Sequence, residues 1–168
     1  MPATYEPIST TTLSSATTSI NFTSIPATYT DLRIVWVYQT TTGGSYPIIN
    51  FNSDAASNYS YITLFGAGSS SGASQYSTNN NTAYLISNVA APTSKWSMST
   101  IDIFSYAGST FKTLLNTTVG DATSSGNISV GGNLWRSTSA ITAIQVKFDS
   151  LANMIAGSTA TLYGIKAA

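Results

Sequence analysis

Short runs of alternating apolar and polar residues fill most of this chain, and Gly, Pro, Asn, Asp and Ser break them at close intervals. That period of two is the pattern of β-strands, not of helices. The longest continuous run is Leu32 to Tyr38, LRIVWVY, short and rich in β-branched and aromatic residues. As a strand it points Leu32, Ile34, Trp36 and Tyr38 one way and Arg33, Val35 and Val37 the other. Both faces carry apolar side chains, so the strand is expected in mid-sheet with something covering each side. One cover is the core, and the other is a long loop or a neighbouring subunit.

In chain order, Tyr5 to Leu13 and Ser19 to Phe22 read as strands joined by Ser14-Ser15-Ala16-Thr17, a hairpin signal. Tyr46 to Phe51 follows, with Pro47 placing its start at an edge or bulge. Tyr59 to Phe65 is a strand. Gly66 to Asn81, rich in Gly, Ser and Asn, is expected to be a long exposed loop with Tyr76 as its only large side chain. Tyr84 to Ile86 is a short strand, and Pro92-Thr93-Ser94 a turn. In Trp96 to Phe104, Ile101 and Ile103 share a face opposite Asp102. In Phe111 to Val119, Phe111, Leu115 and Val119 oppose Lys112, Leu114 and Asn116, with Lys112 expected to point outward. Tyr106-Ala107-Gly108-Ser109 joins these two runs as a hairpin. Gly120 to Gly126 reads as a turn and Ile128 to Trp135 as a strand bulged at Gly131-Gly132. Ile141 to Phe148 turns Ile144, Val146 and Phe148 inward, and Thr159 to Ile165 closes the chain. About ten short strands with no helix predict an all-β protein, a two-sheet antiparallel sandwich of the jelly-roll type, with 1–168 as a single domain.

Composition supports this and narrows the function. Of the 168 residues, 42% are hydrophobic, enough for a sizeable core, and only 7% are charged, with six bases balancing six acids. Such a chain has neither the basic footprint of a nucleic-acid binder nor that of a membrane-surface protein. Roughly a third of the chain is Ser or Thr, residues that suit solvent-facing strand positions and turns. The first residues, MPATYEPIST, lack the basic and apolar regions of a signal peptide, and no apolar run is long enough to span a membrane. The expectation is synthesis in a host cytoplasm followed by assembly into something larger.

With no His and no Cys, the commonest general base, the thiol nucleophile and the main transition-metal ligands are missing. Gly68 to Gly72 matches G-x-S-x-G, but that motif needs a strand-turn-helix elbow and a His partner. Ser109 to Lys112 matches S-x-x-K without its companion motifs. Asn50, Asn52 and Asp54 faintly resemble a calcium loop but lack its glycine and closing acid, so an Asn-rich turn is favoured. No spacing pairs two of the six carboxylates for glycoside hydrolysis. The aromatics Tyr46, Tyr59, Tyr61, Tyr76, Trp96 and Trp135 are better read as core or interface than as sugar platforms. The N-x-S/T triplets are those that chance supplies in so Ser- and Thr-rich a chain. The expectation is therefore a protein that is not an enzyme, with no cofactor and no metal.

Several segments together resemble small virion proteins of tailed bacteriophages, cyanophages and marine phages among them. They are Tyr29-Thr30-Asp31-Leu32-Arg33, the Asn50-Phe51-Asn52-x-Asp54 and Asn58-Tyr59-Ser60 cluster, Leu134-Trp135-Arg136-Ser137-Thr138 leading to Ala140-Ile141-Thr142, and Leu162-Tyr163-Gly164-Ile165. The resemblance implies a structural protein of the virion, described variously as capsid decoration, head fibre or tail protein. It leads to the expectation of a capsid cement or decoration protein on the capsid surface, bound to the major capsid protein and self-associated as a trimer. The alternative is a tail-fibre or spike component that recognises a host-surface glycan, and a third class is a free carbohydrate-binding module. The candidate partner contacts are Arg33, Val35 and Val37 on the second face of the central strand, Tyr76, and Trp135 with Arg136. Neither a nucleic acid nor a membrane is expected as a partner.

Overall fold

The computed structural model describes residues 4–68, 70–85, 93–122, 125–150 and 152–166. Among them there are twelve strands and no helix. They are β1 (Tyr5–Thr12), β2 (Ser19–Phe22), β3 (Asp31–Tyr38), β4 (Pro47–Phe51), β5 (Tyr59–Ala67), β6 (Ser70–Asn80), β7 (Ala83–Tyr84), β8 (Ser97–Phe104), β9 (Lys112–Ala122), β10 (Ser125–Trp135), β11 (Ile144–Phe148) and β12 (Thr159–Ile165). They form an antiparallel sandwich of an eight-stranded sheet, β1-β12-β3-β8-β9-β10-β5-β6, and a four-stranded sheet, β2-β11-β4-β7. The two-sheet sandwich expected from the alternation is thus the observed fold.

The order contains a simpler one. Without the β5–β6 and β9–β10 hairpins, the remaining eight strands, numbered along the chain, stand as first-eighth-third-sixth in one sheet and second-seventh-fourth-fifth in the other. The β9–β10 hairpin extends this frame beyond β8, and the β5–β6 hairpin extends it again beyond β10.

The core lies between the small sheet and the large one, and besides the frame strands it takes in Tyr59 of β5, Leu114 of β9 and Trp135 of β10. Along β3 burial alternates without a break, and Leu32, Ile34, Trp36 and Tyr38 are at most 1% exposed. The Phe148 ring from the small sheet lies 5.5 Å from that of Trp36 and 5.3 Å from that of Tyr38. Each such side chain stabilises the fold by about 1.5–3 kcal/mol. On β11, Ile144, Val146 and Phe148 point inward as expected. Gly164 is there because the Tyr29 ring lies across it: a Cβ at 164 would sit 2.3 Å from ring carbons.

Several local expectations are corrected. β1 and β2 are not a hairpin, because β1 pairs with β12 in one sheet and β2 with β11 in the other. The segment 66–81 is not a loop: β6 pairs with β5 from Tyr59↔Asn80 to Ala67↔Ser70. Local composition argued for a loop, but a hairpin partner supplies the hydrogen bonds that polar residues cannot find alone. Gly131-Gly132 is not a bulge, since β10 keeps unbroken register with both neighbours. Gly120 to Gly126 is mostly strand, with Ala122 paired to Ser125. Pro47 is the first residue of β4, but neither at an edge nor at a bulge: β4 lies between β11 and β7, its register with β11 is unbroken, and Pro47 O accepts from Leu85 N at 3.0 Å. Ile86 and Pro92 lie outside the described residues. Lys112 points inward, not outward, and is fully buried.

Candidate interaction surface

Nine of the eleven exposed large hydrophobic side chains among the described residues occupy outward positions of the eight-stranded sheet, and the other two, Trp96 and Phe111, stand directly before β8 and β9. Register fixes this, because residues paired across strands share a face. One row runs Arg33, Asp102, Leu115, Gly132, Ile62, Tyr76, and the next runs Val35, Thr100, Thr117, Val130, Leu64. A third runs Val37, Met98, Val119, Ile128. Ile62 and Leu64 are 56% and 57% exposed and Tyr76 is 77% exposed. Val37, Met98, Val119 and Trp96 also line a shallow apolar hollow of about 570 Å³ at the end of this face.

Two ion pairs on this face are closed within the molecule, and Asp31 of β3 accepts from Ser105 N at 2.7 Å. Arg33 Nε and Nη2 donate to Asp102 Oδ1 and Oδ2 at 2.6 and 2.8 Å, a bidentate pair. The Asp102 hydrogen bond holds the guanidinium pKa above its usual value, and its carbon lies 5.4 Å from the Tyr5 ring centre. At the opposite end Lys95 Nζ meets Asp121 at 3.0 Å. Of the candidate contacts, Arg33, Val35, Val37 and Tyr76 are therefore brought onto one face. Trp135 is not: it is 2% exposed, stacks near Phe51 and Tyr59, and donates from Nε1 to Asp54 Oδ2 at 2.7 Å. Arg136 ties the end of β6 to the loop before β5, donating to Ser57 O and Asn79 Oδ1 at 2.7 and 3.0 Å.

Sequence reasoning missed the centre of this face, Ile62, Leu64, Leu115, Ile128 and Val130. Alternation alone cannot say which face is buried, and here the polar one is. Lys112 Nζ donates to the carbonyls of Gly108, Thr110 and Ser137 at 2.8, 2.5 and 3.4 Å. Burial holds its pKa below the usual lysine value. Asn116 Nδ2 donates to Leu85 O at 2.5 Å, and its Oδ1 accepts from Asn133 Nδ2 at 3.0 Å. Ser99 and Thr118 hydroxyls meet at 2.8 Å. A signal was present: Gly131 and Gly120 sit on this inner face because a Cβ there would lie 2.7 Å from Asn116 Oδ1 or 2.6 Å from Ser97 Oγ. A glycine inside a strand marks such close approach.

A second concave surface crosses the outer face of the small sheet, a cleft of about 720 Å³. Its floor is Ile48 and Asn50, and its walls include Asn21, Gln145, Lys147 and Tyr84. Gln145 Nε2 donates to Asn21 Oδ1 at 2.9 Å, and Asn50 Nδ2 to Asn81 O at 2.8 Å. The Tyr84 ring stands 5.3 Å from that of Tyr61.

The Asn-rich turn after β4 is a latch. Asp54 Oδ1 accepts from Ala56 N at 2.9 Å, and Oδ2 from Asn58 Nδ2 and Trp135 Nε1 at 2.9 and 2.7 Å. Burial pushes this carboxyl up, but the three donors outweigh it and hold the pKa below the usual aspartate value. Asn52 Oδ1 accepts from Thr142 N and Ala143 N at 2.9 and 3.0 Å. Burial pushes the Tyr59 phenol up to about 12. The side chains of Asn50, Asn52 and Asp54 thus serve separate backbone and side-chain partners. Among the described residues no three His, Cys, Asp or Glu gather as a metal site, and no helix is long and apolar enough to cross a membrane. No protein-family model, curated protein or solved structure matches this chain.

Proposed function

We propose that this chain is a non-enzymatic assembly protein of the virion type, a cement or decoration protein on the outer surface of a capsid, with the major capsid protein as its lattice partner. The observation that carries the reading is the continuous apolar face of the large sheet, whose Arg33 and Lys95 are each ion-paired within the molecule. Ordinary monomers expose apolar patches of roughly 300–600 Å² at most, and larger ones mark association sites. A protein built on such a face works by burial and by many copies acting together, not by bond-making chemistry. The resemblance to small phage virion proteins points the same way. So does the eight-strand frame, whose order, with successive strands crossing between sheets, we read as a jelly roll carrying two inserted hairpins.

Attachment through apolar contact and hydroxyl hydrogen bonds is screened little by salt, unlike attachment through exposed ion pairs. The test is to strip the protein from particles and add it back to tailless capsids in low and in roughly molar salt, where the Debye length is about 3 Å. Equal occupancy in both supports cement, and loss of binding in high salt counts against it. The cleft over the small sheet, with its amides beside Tyr84, favours one second reading, a fibre or spike component that recognises glycan. Binding to tailed particles or host cells only, competed away by sugar, would select it.

A further inference from the structure

We infer that the outer face of the β8–β9–β10–β5–β6 region is covered by the same face of a second copy of this chain, as a two-fold pair. This deepens the assembly reading by naming the immediate occupant of its apolar face, and it rests on that reading.

Area is the first argument. Ten of the eleven exposed large side chains lie on, or directly before, the strands from β8 to β6. At their fractional exposures they present on the order of 900 Å² of side chain, against the ~800 Å² each partner contributes to a standard interface. One identical face is therefore enough to cover the patch.

Charge is the second. A face that meets itself brings every charge against its own copy, so an unpaired one would repel. Here Arg33 is held by Asp102 and Lys95 by Asp121, and the middle of the face, at Thr117, Val130 and Leu64, is uncharged. A face recognising a charged partner would hold its charges ready instead.

Shape is the third. Outer sheet faces pack on one another at about 10 Å, as the two layers of a sandwich do. Gly132 lies between Leu115 and Ile62 in its row, and a Cβ there would meet only Ile62 Cγ2, at 3.6 Å. This leaves a hollow flanked by two projecting side chains, next to the projecting Val130. Near a two-fold axis each copy's Val130 can face the other copy's hollow. Such an isologous contact closes at two copies, not at the three expected from family analogy. The hydroxyl-rich outer positions of β1 and β12, at Thr10, Thr12, Thr159 and Thr161, lie outside the paired region and leave each copy a surface for lattice contacts.

The test is sedimentation of the full chain at micromolar concentration, with Val130→Lys, Val130→Glu and Thr161→Lys, each checked for native circular dichroism. A dimer is expected for the unaltered chain and for Thr161→Lys, which lies on the hydroxyl-rich end of the same face. Each Val130 variant should be a folded monomer, its association weakened by roughly a hundredfold or more by like charges meeting across the axis. Mixing the Lys and Glu variants should restore the dimer, which a folding defect could not do. A monomeric or trimeric unaltered chain, a Val130→Lys dimer, or a mixture that stays monomeric overturns the pairing. The capsid test separates the two ideas: a monomer that still binds capsids loses only the pairing, and a dimer that binds none loses only the cement reading.

Discussion

Along one row of the eight-stranded sheet the outward side chains run Thr10, Thr161, Val35, Thr100, Thr117, Val130 and Leu64, hydroxyls at the β1 end and aliphatics at the β5 end. Along the adjacent row the inward side chains change the opposite way, from Leu162, Ile34 and Ile101 to Asn116, Gly131 and Thr63. The backbone ladder is the same throughout, so the polarity reversal is set by what faces each half. Behind β3 and β8 stand Ile49, Phe51, Val146 and Phe148 of the small sheet. Behind β9 and β10 Asn116 finds Leu85 O and Asn133 Nδ2, and Lys112 finds three carbonyls, while Ser129 Oγ and Asn133 Oδ1 are left without a partner among the described residues. The frame strands put most of their large apolar side chains into the core; the added hairpins contribute Tyr59, Leu114 and Trp135 to it and turn most of the rest of theirs outward.

The largest expected effect is in the frame. Trp36→Ala should cost about 3–5 kcal/mol, read from the urea midpoint, whereas Leu115→Ala, on the outer face, should leave the dissociated chain within about 0.5 kcal/mol. Comparable losses would erase the distinction between the halves. Next comes the buried polar side. Asn116→Ala strips partners from Leu85 O and Asn133 Nδ2 and should cost about 1–3 kcal/mol. Gly131→Ala alone should cost a similar ~1–3 kcal/mol by crowding Asn116 Oδ1. In the double mutant the Gly131 cost should shrink, because the crowding oxygen is gone; strict additivity would show that the two do not touch.

The latch between the halves is expected to give the pH dependence. The Asp54 pKa is lowered in the fold, so its contribution is full above the unfolded value of about 3.9 and is lost as pH falls through the lower folded value. Acid titration of stability should therefore be shallower in Asp54→Asn. An unchanged profile would remove Asp54 from the linkage. Smallest of all, Ile128→Thr extends the hydroxyl pattern of β1 and β12 across the sheet and should shift the stability of the dissociated chain by no more than about 0.5 kcal/mol. Thermal melts at high dilution check it.

Much of this molecule was set by the sequence. The strand identity of Leu32–Tyr38, Ile144–Phe148 and Thr159–Ile165, the hairpin through Tyr106 to Ser109 and the two-layer sandwich follow from a period of two and from turn residues, both local properties. Tertiary structure decided the rest. Whether Lys112 or Phe111 is buried depends on whether the carbonyls of Gly108, Thr110 and Ser137 are gathered behind β9, and alternation is silent on that. Ser70–Asn80 has no strand signal of its own and becomes one because β5 offers an edge. The apolar face was legible only at Val35, Val37 and Tyr76, because its centre joins Ile62 and Leu64 of β5 to Leu115, Ile128 and Val130 of β9 and β10, far apart in the chain. Only cross-strand register, a non-local quantity, sets them side by side.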